Sequence, residues 1–335
     1  MKNSYGDNFR IEIFGASHSP EIGVEIDGVP AGTAIDMELL QAFMDRRAPG
    51  RDEFSTPRKE PDRPVFVSGV KEGVADGGKV RAVIRNTNVR SHDYESSVPR
   101  PGHADYPASV KFGPEYVFAG GGPFSGRMTA PLCIAGGIAL QLLAREGVSV
   151  RARPARIGKE EDPERMKEAI LAAKAEGDSV GGVIECTVEG LAAGIGDHMF
   201  RGLENRIAQA VFGIPAVKGI EFGAGFAAAD MKGSENNDPY GIVNGKVKAL
   251  TNNAGGILGG MTNGEPVVFR VAMKPTPSIF KSQRSVDLKT LEEVELVVRG
   301  RHDPCVVFRA VPCVEAAAAI AAYDALAENR KNRKT

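Results

Sequence analysis

Histidines in glycine-containing loops are the residues of this chain best suited to chemistry. His103 lies in the heptad Arg-Pro-Gly-His-Ala-Asp-Tyr (100–106), where proline and glycine favour a turn that directs the imidazole. The flanking aspartate favours the charged imidazole, and the flanking arginine opposes it. His18 and His302 have similar surroundings. A surface turn with an incidental histidine is the alternative interpretation of the heptad alone.

Two other kinds of site compete with an acid–base role for these histidines. A metal site would need ligands from distant loops, because neither H-E-x-x-H nor another compact ligand spacing occurs. A nucleophilic Ser17 or Ser125 with a histidine base is the second alternative, although the G-x-S-x-G elbow is absent. Serines in loops also commonly serve only to form turns and have no catalytic role. The residue types leave both alternatives open.

Cationic and glycine-rich stretches indicate a small anionic ligand. Arginines cluster near residues 46–58 and 81–100, beside glycine and histidine turns. The stretch 252–260 (NNAGGILGG) could present successive backbone N–H groups to a phosphate or a cofactor ring edge, and 274–279 (KPTPSI) adds a cation and hydroxyls. The glycine-rich stretch 252–260 fits neither a Walker loop nor a Rossmann fingerprint.

Composition excludes several classes of protein. The values of 42% hydrophobic and 25% charged residues are those of a globular chain, and a net charge of −1 gives no general attraction to nucleic acid. An aromatic content of 6% without tryptophan also argues against a base-stacking surface. No run of about 18 apolar residues spans a membrane, and no signal peptide begins the chain, so a cytoplasmic location is expected.

The four cysteines are predicted to be buried thiols. Their positions show no C-x-x-C spacing, which argues against a zinc knuckle or a disulfide framework. They are Cys133, Cys186, Cys305 and Cys313.

Hydrophobic periodicity predicts the elements that must position these loops. Strands are expected at 9–14, 23–29, 63–70 and 79–84, the last two as an antiparallel hairpin. Asp36 is expected to cap a helix from Met37 to Arg47. Further helices are predicted from about 129 to 146, from 163 to Gly177 and from 198 to 210, and one follows Pro312.

An internal repeat indicates the architecture. Offsets of 162 and 187 match glycines of the first half with glycines of the second, and an offset of 182 matches Arg127 with Arg309. We therefore predict an α+β fold with one catalytic domain, 1–328, made of two similar halves, about 1–150 and 151–328. Antiparallel sheets would sandwich a layer of long helices. Residues 329–335 are predicted to be a disordered basic tail.

Five motifs in one order carry a resemblance to a known family. They are Gly15-Ala16-Ser17-His18, Arg100-Pro101-Gly102-His103-Ala104-Asp105, Asn253-Ala254-Gly255-Gly256-Ile257 with Thr262-Asn263-Gly264, Lys274-Pro275-Thr276, and Gly300-Arg301-His302-Asp303-Pro304. This order resembles that of chorismate synthase over nearly the whole chain.

The resemblance implies a reaction and a cofactor. The reaction is the anti-1,4-elimination of phosphate from 5-enolpyruvylshikimate 3-phosphate, which gives chorismate in the shikimate pathway of aromatic amino acid biosynthesis. The reaction requires reduced FMN, although it involves no net oxidation of the substrate. The family also implies a homotetramer. The sequence leaves open whether NADPH reduces the flavin on this protein or a separate flavin reductase supplies it.

The resemblance further implies roles for individual residues. His18, assisted by Ser17, would protonate the departing phosphate, and His103 would protonate or stabilise the anionic reduced flavin. Asp303, with flavin N5, would help to remove the proton from the substrate ring, and Ser125 matches a serine near the flavin. Arg47 would meet substrate anions, and we expect the same of Arg51 and Arg127. The FMN contacts implied are Pro123, Phe124, Ser125, Ala216, Gly259, Lys274, Pro275, Thr276, Pro277, Ser278 and Arg301.

Several positions depart from the commoner family pattern. Ala16 and Ser19 replace a frequent glutamate and glycine, and Pro123 and Met128 replace an arginine and a glutamate. These changes bear on flavin contacts, while the serine and histidines remain. A flavin-binding or phosphate-binding protein without turnover is therefore the alternative function.

Overall fold

The computed structural model describes residues 3–50, 62–86, 97–113, 119–298, 300 and 302–332. Its first half contains a five-stranded antiparallel sheet in the order β1-β2-β3-β7-β4, with a small ribbon, β5–β6, in the connection from β4 to β7. The strands are β1 (Ser4–Tyr5), β2 (Arg10–Gly15), β3 (Glu21–Asp27), β4 (Val65–Ser68), β5 (Val70–Lys71), β6 (Val74–Ala75) and β7 (Val80–Arg85).

The second half contains a four-stranded antiparallel sheet in the order β10-β15-β9-β8. Three two-stranded ribbons accompany it: β11–β12, β13–β14 and β16–β17. The strands are β8 (Ser149–Ile157), β9 (Gly182–Glu189), β10 (Val217–Phe222), β11 (Tyr240–Val243), β12 (Lys246–Ala249), β13 (Ile257–Leu258), β14 (Met261–Thr262), β15 (Val267–Met273), β16 (Gln283–Asp287) and β17 (Glu292–Leu296).

Alternating apolar residues explain why these segments form half-buried strands. In β15, Val267, Phe269, Val271 and Met273 are all buried, and the residues between them are more exposed. A period of two places every second side chain on the same face of a sheet. That face packs on the helices.

Long helices form the layer between the two sheets. Helices α1, α3, α5 and α7 pack on one another, α3 packs against strands of both sheets, and α7 packs against β8 and β9. The helices are α1 (Met37–Arg47), α2 (Asp105–Phe112), α3 (Thr129–Ala144), α4 (Pro163–Ala175), α5 (Leu203–Phe212), α6 (Gly233–Asn236) and α7 (Val307–Asn332). This arrangement confirms the predicted α+β fold with sheets around a helical layer.

The α3–α7 contact is close because glycine lies at the crossing. A Cβ on Gly136 would lie 2.2 Å from the Cβ of Ala316. Both helices are buried over most of their length. By length and composition Gly126–Ala144 and Val307–Asn332 could cross a membrane, but 83% and 89% of their apolar windows are buried inside the fold. They are the central helices of the core.

The two halves have matching topology. The order β2-β3-β7-β4 in one sheet corresponds to β8-β9-β15-β10 in the other. Gly28 and Gly190, which the offset of 162 pairs, have φ of 92° and 91°. A Cβ would lie 1.9 Å from the carbonyl oxygen of Asn8 at the first position and 2.3 Å from that of Gly147 at the second. Matched close approaches of backbone therefore explain the repeated glycines.

The start of α1 follows the sequence prediction. The Asp36 carboxylate accepts a hydrogen bond from the Leu39 N–H at 2.9 Å, so it caps the helix where predicted. Helix α3 ends at Ala144 rather than at 146. The start of α5 differs more. The expected beginning near His198 is a single 3₁₀ turn, and the helix starts at Leu203, whose N–H donates to the Gly260 carbonyl at 2.8 Å. A tertiary hydrogen bond thus decides this boundary.

The predicted disordered tail is wrong for residues 329–332. Helix α7 continues to Asn332 because two basic side chains have partners there. Arg330 pairs with Glu146, and the Lys331 ammonium donates to the Asn8 side chain at 2.6 Å. Residues 333–335 lie outside the described residues.

Candidate active site

A cavity of about 600 Å³ lies at one end of the helical layer. The last residues of α1 and α5 and the first turns of α3 and α7 line it, together with the loop after β2 and the segment after β15. The amino-terminal ends of α3 and α7 favour anions, whereas the carboxyl-terminal ends of α1 and α5 favour cations. The side chains therefore decide the charge of the cavity.

Most of the residues predicted from the motifs meet in this cavity. Its lining includes all five proposed catalytic side chains and two of the three proposed substrate arginines. Of the eleven predicted flavin contacts, eight line it. The lining members are Ser17, His18, His103, Ser125, Asp303, Arg47, Arg127, Pro123, Phe124, Ala216, Lys274, Thr276, Pro277 and Ser278.

Two predicted residues are not among those that line the cavity, and two lie outside the described part of the chain. Pro275 belongs to the lining segment 274–278 without lining the cavity itself. Gly259 lies in the turn between β13 and β14, beside the beginning of α5, whereas the cavity contacts the end of that helix. The flavin contact expected of Gly259 therefore stays a prediction. Arg51 and Arg301 fall outside the described residues.

His103 is held by a buried carboxylate. The Asp105 Oδ1 atom lies 2.6 Å from His103 Nδ1 and accepts from Arg100 Nη2 at 2.8 Å, while Asp105 Oδ2 accepts from Arg100 Nε at 2.7 Å. Burial alone would raise the pKa of Asp105, but the hydrogen bonds from Arg100 and His103 lower it well below the ordinary value. The ionised carboxylate fixes a hydrogen on Nδ1, so Nε2 is the atom available for exchange.

A glycine allows the backbone to approach that second nitrogen. A Cβ on Gly121, whose φ is 84°, would lie 3.1 Å from His103 Nε2. The glycine-rich segment thus lies close to the imidazole edge.

His18 is oriented by the serine before it. Ser17 Oγ lies 3.0 Å from His18 Nδ1, and the Ser17 N–H donates to the Gly122 carbonyl at 3.1 Å. Ser19, one of the departures from the family pattern, closes this turn: its hydroxyl accepts from the Ala16 N–H at 2.9 Å and donates to the Glu21 carbonyl at 2.6 Å. The serine at 19 therefore has a structural role in the loop that presents His18.

Besides Arg100, three arginines line the cavity and make its wall cationic. Arg47 is only 2% exposed, and its Nε lies 3.1 Å from Asp62 Oδ2. Burial alone would lower the pKa of Arg47, but Asp62 and other neighbouring groups outweigh it and raise the pKa. Arg127 pairs with the other oxygen of Asp62. Arg309 donates to the Arg47 carbonyl at 3.2 Å and pairs with Asp303, and burial lowers its pKa.

The segment after β15 adds a lysine and hydroxyls. Lys274 Nζ donates to the Gly102 carbonyl, which links this segment to the His103 turn. Burial, with a contribution from Lys218, lowers the pKa of Lys274. The Thr276 hydroxyl is buried without a hydrogen-bond partner among the described residues. Ala216, at a φ of 74°, accepts from the Lys274 N–H at 2.9 Å.

The cysteines are buried thiols, as predicted. Cys313 lines the cavity, and its Sγ lies 3.9 Å from that of Cys133. A hydrogen bond from Cys133, and secondarily Arg47, lowers the pKa of Cys313 to about 7, while burial raises that of Cys133.

Sequence motifs did not identify every residue of the site. Arg309 could have been found from its match to Arg127 under the offset of 182. Asp62 carries no motif signal, and only the fold shows that it lies between two cavity arginines.

Comparison with known proteins gives the family. The family model for chorismate synthase matches residues 9–327. The chorismate synthase of Chitinophaga pinensis is 48% identical over 334 residues, which cover 99% of this chain and 98% of that protein. The chain belongs to the chorismate synthase family. The chorismate synthase of Lancefieldella parvula is 45% identical over 367 residues, covering 97% and 96% of the two chains.

A solved structure agrees with this assignment. It is described as a crystal structure of chorismate synthase and is 26% identical to this chain, with a TM-score of 0.74. The match covers 97% of this chain and 93% of that one. The resemblance to the chorismate synthase family found in the motifs is thereby confirmed, and it extends across both sheets and the helical layer.

Proposed function

We propose that this protein converts 5-enolpyruvylshikimate 3-phosphate into chorismate and phosphate by anti-1,4-elimination, with reduced FMN as cofactor. The observation that carries the proposal is the convergence of His18, His103 and Asp303 in one cavity whose wall is cationic. These three residues come from motifs far apart in the chain. Family membership supplies the reaction type.

The charge of the cavity supports an anionic substrate. The proposed substrate carries a phosphate and two carboxylates, and the arginines Arg47, Arg127 and Arg309 lie on the cavity wall with Lys274. Guanidinium groups bind carboxylate and phosphate in a bidentate manner. We assign Arg47 and Arg127 to substrate anions and add Arg309 to them. Arg51 stays a prediction, because it lies outside the described residues.

His18 is the proposed donor to the departing phosphate. Ser17 Oγ lies beside Nδ1, so the proton would leave from Nε2. The serine hydroxyl can donate or accept, which allows the ring to change its protonation without losing its orienting contact.

Asp303 is the proposed group that receives the proton from the substrate ring. Its pairing with Arg309 orients the carboxylate at the cavity. An ionised carboxylate is the form that accepts a proton.

The residues present fit a flavin. A volume of about 600 Å³ is that of a cofactor-sized site. The Thr276 hydroxyl, which has no hydrogen-bond partner among the described residues, provides a polar contact for a ring edge. We propose that Pro123 to Ser125, Ala216 and Lys274 to Ser278 hold FMN, with Arg301 as a further prediction. Reduced FMN, when bound, supplies electron density to the substrate while phosphate leaves and recovers it afterwards.

His103 is the proposed proton partner of the flavin. Because Asp105 engages Nδ1, His103 would hold or give a proton at Nε2. The flavin can be reduced in two ways, by NADPH on this protein or by a separate reductase. An assay with NADPH distinguishes them.

We further propose a cytoplasmic homotetramer. Family resemblance suggests this assembly, and the β11–β12 ribbon supports an interface because its apolar side chains are exposed. They are Tyr240, Ile242, Val243 and Val247, and the exposed Leu250 follows the ribbon directly. Sedimentation equilibrium measures the mass directly, and a monomer would contradict this part.

An anaerobic phosphate-release assay tests the function. Purified protein with dithionite-reduced FMN and 5-enolpyruvylshikimate 3-phosphate should release phosphate and form chorismate in equal amounts. With oxidised FMN the same protein should release none, which is the control. Binding of flavin and substrate without phosphate release under reducing conditions would favour the alternative, a binding protein without turnover. NADPH in place of dithionite then tests whether the protein reduces its own flavin.

A further inference from the structure

Asp62 is a fully buried carboxylate between two arginines of the cavity wall. Its Oδ2 lies 3.1 Å from Arg47 Nε, and its Oδ1 pairs with Arg127 Nη1. Arg47 is the last residue of α1, and Arg127 lies in the 3₁₀ turn before α3. One carboxylate therefore connects two elements at the point where both contact the cavity.

A second buried carboxylate shows what a purely structural pair looks like in this fold. Glu315 on α7 accepts two hydrogen bonds from Arg46, at 2.6 and 3.0 Å, and one from the Ala152 N–H at 2.8 Å. Arg46 is the neighbour of Arg47, but its side chain is 46% exposed and it is not among the residues that line the cavity. Glu315 ties α7 to α1 and β8, whereas both partners of Asp62 face the cavity.

Hydrogen bonds connect Arg127, one of the two partners of Asp62, to the loop that carries His18. Arg127 Nε donates to Asn86 Oδ1 at 3.1 Å, and Asn86 Nδ2 donates to the Ser19 carbonyl at 2.7 Å. A continuous path of polar contacts thus runs from Arg47 through Asp62, Arg127 and Asn86 to the turn of Ser17 and His18. The path fixes the arginines relative to the proposed acid.

We propose that Asp62 is a positioning residue that orients Arg47 and Arg127 toward the phosphate and carboxylates of the substrate. The inference rests on the proposed function for the identity of the substrate. By holding Nε of one guanidinium and a terminal nitrogen of the other, the carboxylate restricts the rotation of both side chains. Two arginines held in advance lose less side-chain entropy when an anion binds.

The test compares Asp62→Asn with Glu315→Gln. Each variant removes one buried charge that pairs with an arginine at the end of α1, so the two are matched in kind. We expect Asp62→Asn to weaken binding of the substrate, measured calorimetrically with oxidised FMN, by about ten- to a hundredfold, as loss of a charged hydrogen bond predicts. KM should rise by a similar factor, with a smaller change in kcat. Glu315→Gln should leave the affinity within about threefold of the wild type even if it lowers the melting temperature.

Inorganic phosphate is a second probe that does not depend on turnover. Asp62→Asn should weaken phosphate binding, and Glu315→Gln should not. If wild-type protein releases no phosphate from the substrate, the proposed function fails, while the phosphate titration still tests Asp62. An equal loss of affinity in both variants, or unchanged affinity in Asp62→Asn, would overturn the positioning role.

A conservative variant keeps the test decisive if Asp62→Asn does not fold. Asp62→Glu retains the charge but displaces the carboxylate by one methylene. We expect Asp62→Glu to fold and to have a KM between the KM of the wild type and that of Asp62→Asn. If the KM of Asp62→Asn cannot be measured, the KM of Asp62→Glu should still be clearly above that of the wild type. Wild-type KM and phosphate affinity in Asp62→Glu would contradict the inference, because the position of the carboxylate would then not matter.

Discussion

Two of the three histidines that line the cavity, His18 and His103, differ in the group that orients them. His103 Nδ1 faces the Asp105 carboxylate, which only accepts, whereas His18 Nδ1 faces the Ser17 hydroxyl, which can donate or accept. The first ring is held in one tautomer, and the second can exchange between two. This difference suits a fixed partner of the cofactor and a proton donor to the leaving group.

At the residue scale, His103→Ala should lower kcat by about two to four powers of ten, because a positioned proton donor contributes that much. The matched control is His198→Ala. His198 also pairs with a neighbouring carboxylate, Asp197, at 2.7 Å, but it is 78% exposed and is not among the residues that line the cavity. Anaerobic turnover of the two variants is the measurement, and similar activities in both would refute the role of His103.

Asp105 should make stability depend on acid pH. Its folded pKa is lowered, so its contribution to the free energy of unfolding is complete above the ordinary carboxyl value of about 4 and declines as pH falls below that value. At pH 7, Asp105→Asn should be less stable than the wild type by about 1–3 kcal/mol. Urea unfolding from pH 7 to 3 should show this difference shrinking with decreasing pH. A difference independent of pH would contradict the proposed cause.

At the scale of elements, adjacent glycines on α3 have different surroundings. A Cβ on Gly136 meets the backbone of Ala316 at 2.4 Å, whereas one on Gly137 meets the end of the Leu40 side chain at 2.5 Å. Gly136→Ala should destabilise the protein by about 1–3 kcal/mol or more, because two packed helices must separate. Gly137→Ala should cost less, since a leucine end can move and alanine favours the helix. Denaturant unfolding compares them, and equal losses would contradict the close crossing.

The helix boundaries show which features of the fold the local sequence can predict. Helix α1 was predicted from Met37 to Arg47 because its cap, stripe and basic last turn are all local signals. The start of α5 depends on the Gly260 carbonyl, and the end of α7 on partners at Glu146 and Asn8. Those partners are distant in the chain, so local periodicity could not provide these two boundaries.

The same distinction applies to the candidate site. Residues in glycine, proline and histidine motifs, such as His18 and His103, were identifiable because their turns have sequence signatures. Asp62 lies in no such turn, and its importance comes from two arginines that the fold places on either side of it. Pairing across elements is a property of the tertiary structure.

At the scale of the whole molecule, a few buried charges join distant parts of the chain. The Asp324 carboxylate on α7 accepts from the N–H groups of Asp7, Asn8 and Phe9 at 2.6 to 2.9 Å, and it pairs with Arg206 on α5 at 2.6 Å. The beginning of the chain, a helix of the second half and the final helix are thus fixed together. The repeat places the ends of four helices around one cavity.

The central claim is that this cavity performs phosphate elimination with His18 as proton donor. The most direct measurement is anaerobic single-turnover phosphate release by wild-type protein and His18→Ala, each with reduced FMN and substrate. The wild type should release one phosphate per active site, and His18→Ala should do so about two to four powers of ten more slowly while substrate still binds. Wild-type rates in His18→Ala, or no phosphate release by the wild type, would contradict the claim.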